Sequence, residues 1–184
     1  MSHHQAGLRC LLLTGVFLAL GSAPAVAADS GGAKKTTALP TVAFICSHGT
    51  IKSLAAAQMF NQMAVQRGLP VQAISRAANT DTVDEVIPAS VAREMVSDGF
   101  YVDEIKPKVL THEEASKALR VVHISLEDIA NDPDSKALAG VAVERWDGIP
   151  SGLRDYPTMR KMIKARIEAM IEHYAATQVS AAKE

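Results

Sequence analysis

The sequence predicts an α/β fold, a three-layer sandwich in which a four-stranded parallel sheet is covered by helices on both faces. Three observations carry this reading. Short apolar runs alternate with helix-patterned segments, the arrangement that gives parallel strands joined by crossovers. The first run, Val42-Ala-Phe-Ile-Cys46, ends in a Gly-containing turn and passes at once into the helix-forming stretch Leu54 to Met63. The last helix pattern, from about Tyr156 to Ala175, places Met159, Met162, Ile163, Ile167, Met170, Ile171 and Tyr174 on one side at helical spacing.

Taken in chain order, residues 1–27 read as a secretory signal peptide. Arg9 precedes an apolar run from Leu11 to Leu20, and Ala25-Val-Ala27 supplies the small-x-small cleavage pattern. Cleavage after Ala27 and export, with the periplasm as the default compartment, are the expectation. Gly21, Ser22 and Pro24 interrupt the run, which is short for a transmembrane helix, and no membrane span remains once the signal is removed. Losing Arg9 leaves 18 basic against 20 acidic residues, so the net charge moves from −1 to −2. That balance suggests neither a nucleic acid nor an anionic membrane as partner. Residues 28–40, with Gly31-Gly32 and Lys34-Lys35, read as a flexible polar leader. A single domain is expected over 41–176, with a tail over 177–184.

Within the domain, Val42 to Cys46 is the first strand, and a helix runs from Ser53 to about Arg67, where Gly68 and Pro70 stop it. Val71 to Ser75 reads as a second strand and Arg76 to Glu85 as a polar loop. Pro88 opens a helix through Val91 and Met95 that Gly99 ends. Thr111-His-Glu-Glu114 has capping-box spacing for a short helix, and Leu119 to Ser125 reads as a third strand. Asn131 to Asp134 is a turn, and a fourth strand covers Val141 to Arg145 before Trp146-Asp147. His123 reads as a hydrogen-bonded core or sheet-end residue, Trp146 as a core or pocket-wall residue, and Arg160, Lys161, Lys164, Arg166 and Glu168 as a solvated helix face.

The chemistry concentrates at Cys46. A thiol between a strand end and a helix start lies beside backbone N–H groups that have no intrahelical partner. The partial positive charge there, with Lys52, favours thiolate and a bound tetrahedral oxyanion. The only other cysteine, Cys10, falls in the signal segment, so the exported chain keeps one thiol and no internal disulfide. His, Asp and Glu show no metal-ligand spacing, and no metal site is expected.

A strand ending in Cys46, then five residues, a basic residue and Ser53, resembles the phosphate-binding loop of the low-molecular-weight protein tyrosine phosphatases. Thioredoxin-coupled arsenate reductases share their fold. Further features run in the family's order, among them Ser75-Arg-Ala, Gly99-Phe-Tyr-Val102, Lys106-Pro-Lys-Val-Leu-Thr111 and Trp146-Asp147 before the last helix. The resemblance implies that Cys46 is a nucleophile forming a cysteinyl-phosphate. Amides from Ser47, His48, Gly49, Thr50 and Ile51 to Lys52 would hold the phosphoryl oxygens, and Ser53 would donate to the thiolate. Asp147 would protonate the leaving group and then activate water. Phosphate or another oxyanion is the expected ligand, the phosphorylated substrate is not identified, and no cofactor is needed.

The chain departs from that pattern at four places, one of them His48, at a position that is usually small or apolar. Lys52 stands where the family has Arg, replacing a planar fork by a point charge. Gly49 replaces the loop asparagine. Asp147 is followed by Gly148 rather than Pro, a composition equally suited to a turn, and Asp155 is the reserve acid. Two other readings therefore stand beside the phosphatase: a catalytically weak or inactive relative that binds an oxyanion or a partner, and a single-cysteine arsenate reductase relying on an external thiol.

Overall fold

The computed structural model describes residues 38–78, 86–103, 105–125 and 136–181. The signal segment, most of the leader, most of the Arg76 to Glu85 loop and the Asn131 to Asp134 turn lie outside the described residues.

Eight elements follow one another: β1 (Thr41–Cys46), α1 (Lys52–Gln66), β2 (Gln72–Ala77), α2 (Ala89–Ser97), α3 (His112–Lys117), β3 (Arg120–Ile124), β4 (Val143–Trp146) and α4 (Tyr156–Ala181). The four strands form one parallel sheet in the order β2-β1-β3-β4, which puts the Cys46 strand in the interior. Register runs from Thr41 opposite Gln72 to Cys46 opposite Ala77 on one side of β1, and from Val42 opposite Arg120 to Ile45 opposite His123 on the other.

Because side chains alternate along a strand, β1 feeds two cores. Val42 and Phe44 point to the larger one, with Phe60 of α1, Met95 of α2, Trp146, and Met159, Ile163 and Ile167 of α4. Ala43 and Ile45 point to a smaller one with Leu110, Ala115 of α3 and Val121. The three layers are therefore α1, α2 and α4, then the sheet, then α3. Phe44 meets Phe60 and Trp146 at ring-centroid distances of 5.9 and 5.5 Å, in tilted geometry.

The helix ends follow local chemistry. Gly68 and Gly99 take positive φ just past α1 and α2, where a left-handed residue closes the last turn. Thr111 and Glu114 form the reciprocal capping box read from their spacing. α4 runs to Ala181, six residues past Ala175 and into the segment expected as tail. The strand bounds differ in the same modest way. β2 extends to Ala77, where an isolated parallel bridge to Val109 continues the sheet edge. Among the described residues no helix is long and apolar enough to cross a membrane.

The helix face expected to be solvated carries tertiary contacts. Arg160 pairs with Asp98 at 2.5 Å, and Asp98 also accepts from the Tyr156 hydroxyl at 3.0 Å. Burial, and secondarily that carboxylate, raise the Tyr156 pKa above the ordinary phenol value. Arg166 stacks over Trp146, 5.6 Å from its ring centroid, and donates to the Asp147 carbonyl.

Candidate active site

β1 delivers Cys46 to the carboxyl edge of the sheet, where ligands of open parallel sheets bind. The chain then turns through 47–51 and enters α1 at Lys52. The first intrahelical bond is from the Ala55 N–H to the Ile51 carbonyl, at 2.9 Å, so the amides just before Ala55 have no partner within the helix. Ile51 occupies the cap position and makes no side-chain cap. An incoming anion is the natural acceptor for such groups.

Gly49 makes the turn possible. Its φ of +71° lies in the left-handed region, and its Cα faces the Ala77 backbone with no room for a side chain. The family's asparagine would tolerate that φ, but its Cβ would not fit here. Thr50 and Ser53 are buried, and His48 is partly exposed at the same turn.

Behind the sulfur stands a chain of hydroxyls. Ser53 Oγ lies 3.2 Å from Cys46 Sγ, and Ser75 Oγ donates to Ser53 Oγ at 2.9 Å, with the Gly49 carbonyl oxygen a second acceptor at 3.1 Å. A Ser75 proton given to Ser53 leaves the Ser53 proton for the sulfur. The Ser75 hydroxyl has one proton, which it shares between Ser53 and the Gly49 carbonyl, so the same serine also ties the turn to β2. Ser75 stood in the sequence only as part of a family pattern. Its position at the carboxyl end of a strand was the signal that could have assigned it to the site.

Lys52 borders the same cavity, with its Nζ donating to the Ile149 carbonyl at 3.0 Å. Burial pulls the lysine pKa down, and the Coulombic attraction of Cys46 opposes that shift. The ammonium is therefore partly dehydrated, close to the sulfur, and anchored on one side by backbone.

The cavity has a volume of about 600 Å³. Cys46, Ser47, His48, Thr50, Ile51 and Lys52 form one wall, and Ser151, Gly152 and Leu153 face them. Val86, Pro88, Ile124 and Ser125 complete the described lining. Gly152 packs against Ile51 and Met159 so closely that any larger residue would collide, which holds the far loop onto the turn. Sequence reasoning missed this loop, and Gly152 beside Ser151 was its only mark.

Asp147 is not brought into this lining. Its carboxylate takes a 3.3 Å contact from Arg145 Nη2 and is about half exposed. β4 ends at Trp146, which turns inward onto Phe44, and Asp147 lies in the turn that follows, where Gly148 takes a positive φ. Asp155 is likewise occupied, accepting from the Thr158 N–H at 3.1 Å in the first turn of α4. Among the described residues, no carboxylate lines the cavity. Nor does any group of three or more His, Cys, Asp or Glu there form a metal-binding set.

No family model matches the chain, and no curated protein matches it by sequence. Solved structures do match. YfkJ from Bacillus subtilis superposes with a TM-score of 0.58 at 12% identity, over 81% of this chain and 99% of its own. The low-molecular-weight protein tyrosine phosphatase SP-PTP from Streptococcus pyogenes gives 0.58 at 12% identity, over 73% of this chain and 93% of its own. An arsenate reductase in its phosphate-binding state gives 0.57 at 16% identity, over 74% and 99%. At these identities the likeness is one of fold.

Proposed function

From the fold that this chain shares with low-molecular-weight phosphatases and arsenate reductases, we propose that it is a cysteine-dependent phosphomonoesterase. Its substrate would be phosphotyrosine or a small phosphomonoester, hydrolysed through a cysteinyl-phosphate. The observation that carries this reading is the placement of Cys46 Sγ 3.2 Å from Ser53 Oγ, in a cavity walled by an amide-rich turn and Lys52. A nucleophile, an oxyanion cradle and a cation converge there, which is the minimum set for phosphoryl transfer.

In this scheme the Cys46 sulfur attacks phosphorus as the P–O bond to the leaving group breaks. Amides of the 47–52 turn and the Lys52 ammonium stabilise the charge on the equatorial oxygens. Ser53, supported by Ser75, steadies the sulfur when it departs in the second step, as water attacks phosphorus and the P–S bond breaks. Export is proposed from the N-terminal residues alone, because their pattern is that of a signal peptide.

A second reading has its own observation. Lys52 is tethered to Ile149 and no described carboxylate lines the cavity, so a site that binds an oxyanion without turning it over is the alternative. Arsenate reduction is a weaker one, since Cys46 is the one thiol among the described residues and, with Cys10 in the proposed signal segment, would need a thiol from another molecule to resolve its adduct.

Hydrolysis of an aryl phosphate by the purified protein, with Cys46→Ser and Lys52→Arg beside it, decides between them. We expect turnover that Cys46→Ser abolishes and that Lys52→Arg raises about tenfold, the gain from one stronger charge-assisted bond. Absence of Cys46-dependent turnover in both wild type and Lys52→Arg would leave oxyanion binding as the function.

A further inference from the structure

Among the described residues the cavity lining holds an imidazole and no carboxylate. We propose that His48 protonates the leaving group and then takes a proton from the attacking water, an inference that rests on the phosphatase reading. Cys46, His48 and Lys52 are the ionisable side chains in the described lining. Cys46 is the nucleophile. Lys52 lines the cavity at the end of the same turn with its ammonium held by the Ile149 carbonyl, a placement suited to the oxyanion rather than to the departing group. The hydroxyls of Ser47, Thr50, Ser125 and Ser151 do not ionise near neutrality. An imidazole does.

Position supports the same assignment. His48 lies two residues past Cys46 in the turn, lines the cavity and is partly exposed, whereas Cys46 is only 6% exposed. In an in-line displacement the leaving oxygen departs on the side of phosphorus opposite the sulfur, toward the solvent-facing mouth. A donor must stand on that side. Neither of the two carboxylates that the sequence offered, Asp147 and Asp155, lines the cavity.

The steps balance. As sulfur bonds to phosphorus and the ester P–O bond breaks, the imidazolium gives its proton to the leaving oxygen and becomes neutral. Water then bonds to phosphorus and the P–S bond breaks. The neutral imidazole takes one water proton, which restores imidazolium and thiolate and releases hydrogen phosphate.

The test compares kcat/KM on p-nitrophenyl phosphate, whose leaving group needs little protonation, with phenyl phosphate, whose leaving group needs it. Wild type, His48→Asn, His48→Gln, Asp147→Asn and Cys46→Ser are measured across pH. We expect both His48 variants to lose about 10²-fold or more on phenyl phosphate, the usual size of general acid catalysis, and far less on p-nitrophenyl phosphate. A folded His48 variant that slows both substrates equally, or neither, overturns the assignment, as does a leaving-group-dependent loss in Asp147→Asn. Should one His48 variant fail to fold, the other is read. A wild type with Cys46-dependent turnover but a steep leaving-group dependence of its own also overturns it, whatever the variants do. No Cys46-dependent turnover of either ester is a different result: it overturns the phosphatase reading itself.

Discussion

A Cβ built on Gly49 would stand 2.7 Å from the backbone nitrogen of Ala77. Ala77 has no freedom to retreat. Its N–H donates to the Lys108 carbonyl at 2.7 Å, and its carbonyl accepts from the Leu110 N–H at 3.0 Å. The end of β2 thus sets the shape of the turn that follows β1.

Gly49→Ala is therefore expected to cost about 2 kcal/mol or more, from the left-handed φ together with the backbone collision. Thermal unfolding measures the first effect. Titration with inorganic phosphate measures the second, a loss of affinity as the turn opens. A variant that keeps both the wild-type melting temperature and its phosphate affinity would show that the turn has other ways to close.

Ser53→Ala removes the hydrogen bond to the sulfur. Bonds to charged groups contribute about 1.5–3 kcal/mol, so kcat should fall by roughly 10- to 100-fold. Ser75→Ala should reproduce part of that loss, because it supports Ser53 and reaches the Gly49 carbonyl. The two are in contact, so the double variant should lose less than the product of the single effects. A fully multiplicative result would separate the two serines functionally.

Gly152→Ala would bring a methyl group to 2.6 Å from Ile51 Cγ2 and 2.9 Å from Met159 Sδ. Both are side-chain atoms, and the methionine is adaptable. A destabilisation of about 1–3 kcal/mol is expected, as for overpacked cores. Ile51→Leu removes the Cγ2 methyl, so it should recover much of that loss when combined with Gly152→Ala. Melting temperatures of the single and double variants test this coupling, and strict additivity would refute it.

Acid stability should report on Glu114. The Arg76 guanidinium binds both its oxygens, at 2.6 to 3.1 Å, and holds its carboxyl below the ordinary value of 4.5. A depressed folded pKa means that the unfolded chain takes up the proton first as pH falls. The stabilisation is whole above about pH 4.5 and disappears as pH drops through the folded value. Glu114→Gln should lower stability at neutral pH by about 1–2 kcal/mol, a figure reduced for the partial exposure of the pair. Urea unfolding at a series of pH values should show the two proteins converging in acid.

The parts of this fold that were legible in the sequence are those written in local pattern. A continuous apolar run made Val42 to Cys46 a strand, the Thr111-x-x-Glu114 spacing gave a cap, and the repeat from Met159 to Tyr174 gave the core face of α4. What escaped depends on partners far along the chain. The bridge from Ala77 to Val109, the reach of Ser75 to Ser53, and the contact of Gly152 with Ile51 leave no periodic trace. Asp147 shows the difference at one strand end. Its place beside the carboxyl end of β4 was readable, but it lies in the turn after Trp146, and the path of that turn is not written in a periodic pattern.

The interior position of β1 has a consequence for amide hydrogen exchange. With β2 on one side and β3 on the other, β1 has no free edge from which to fray, whereas β4 has one strand neighbour. Amides around Phe44 and Ile45 should exchange only through openings close to global unfolding, and those of β4 through smaller ones. The sulfur thus stands at the slow-exchanging centre of the sheet, while the loop facing it across the cavity follows an edge strand that should open sooner than β1.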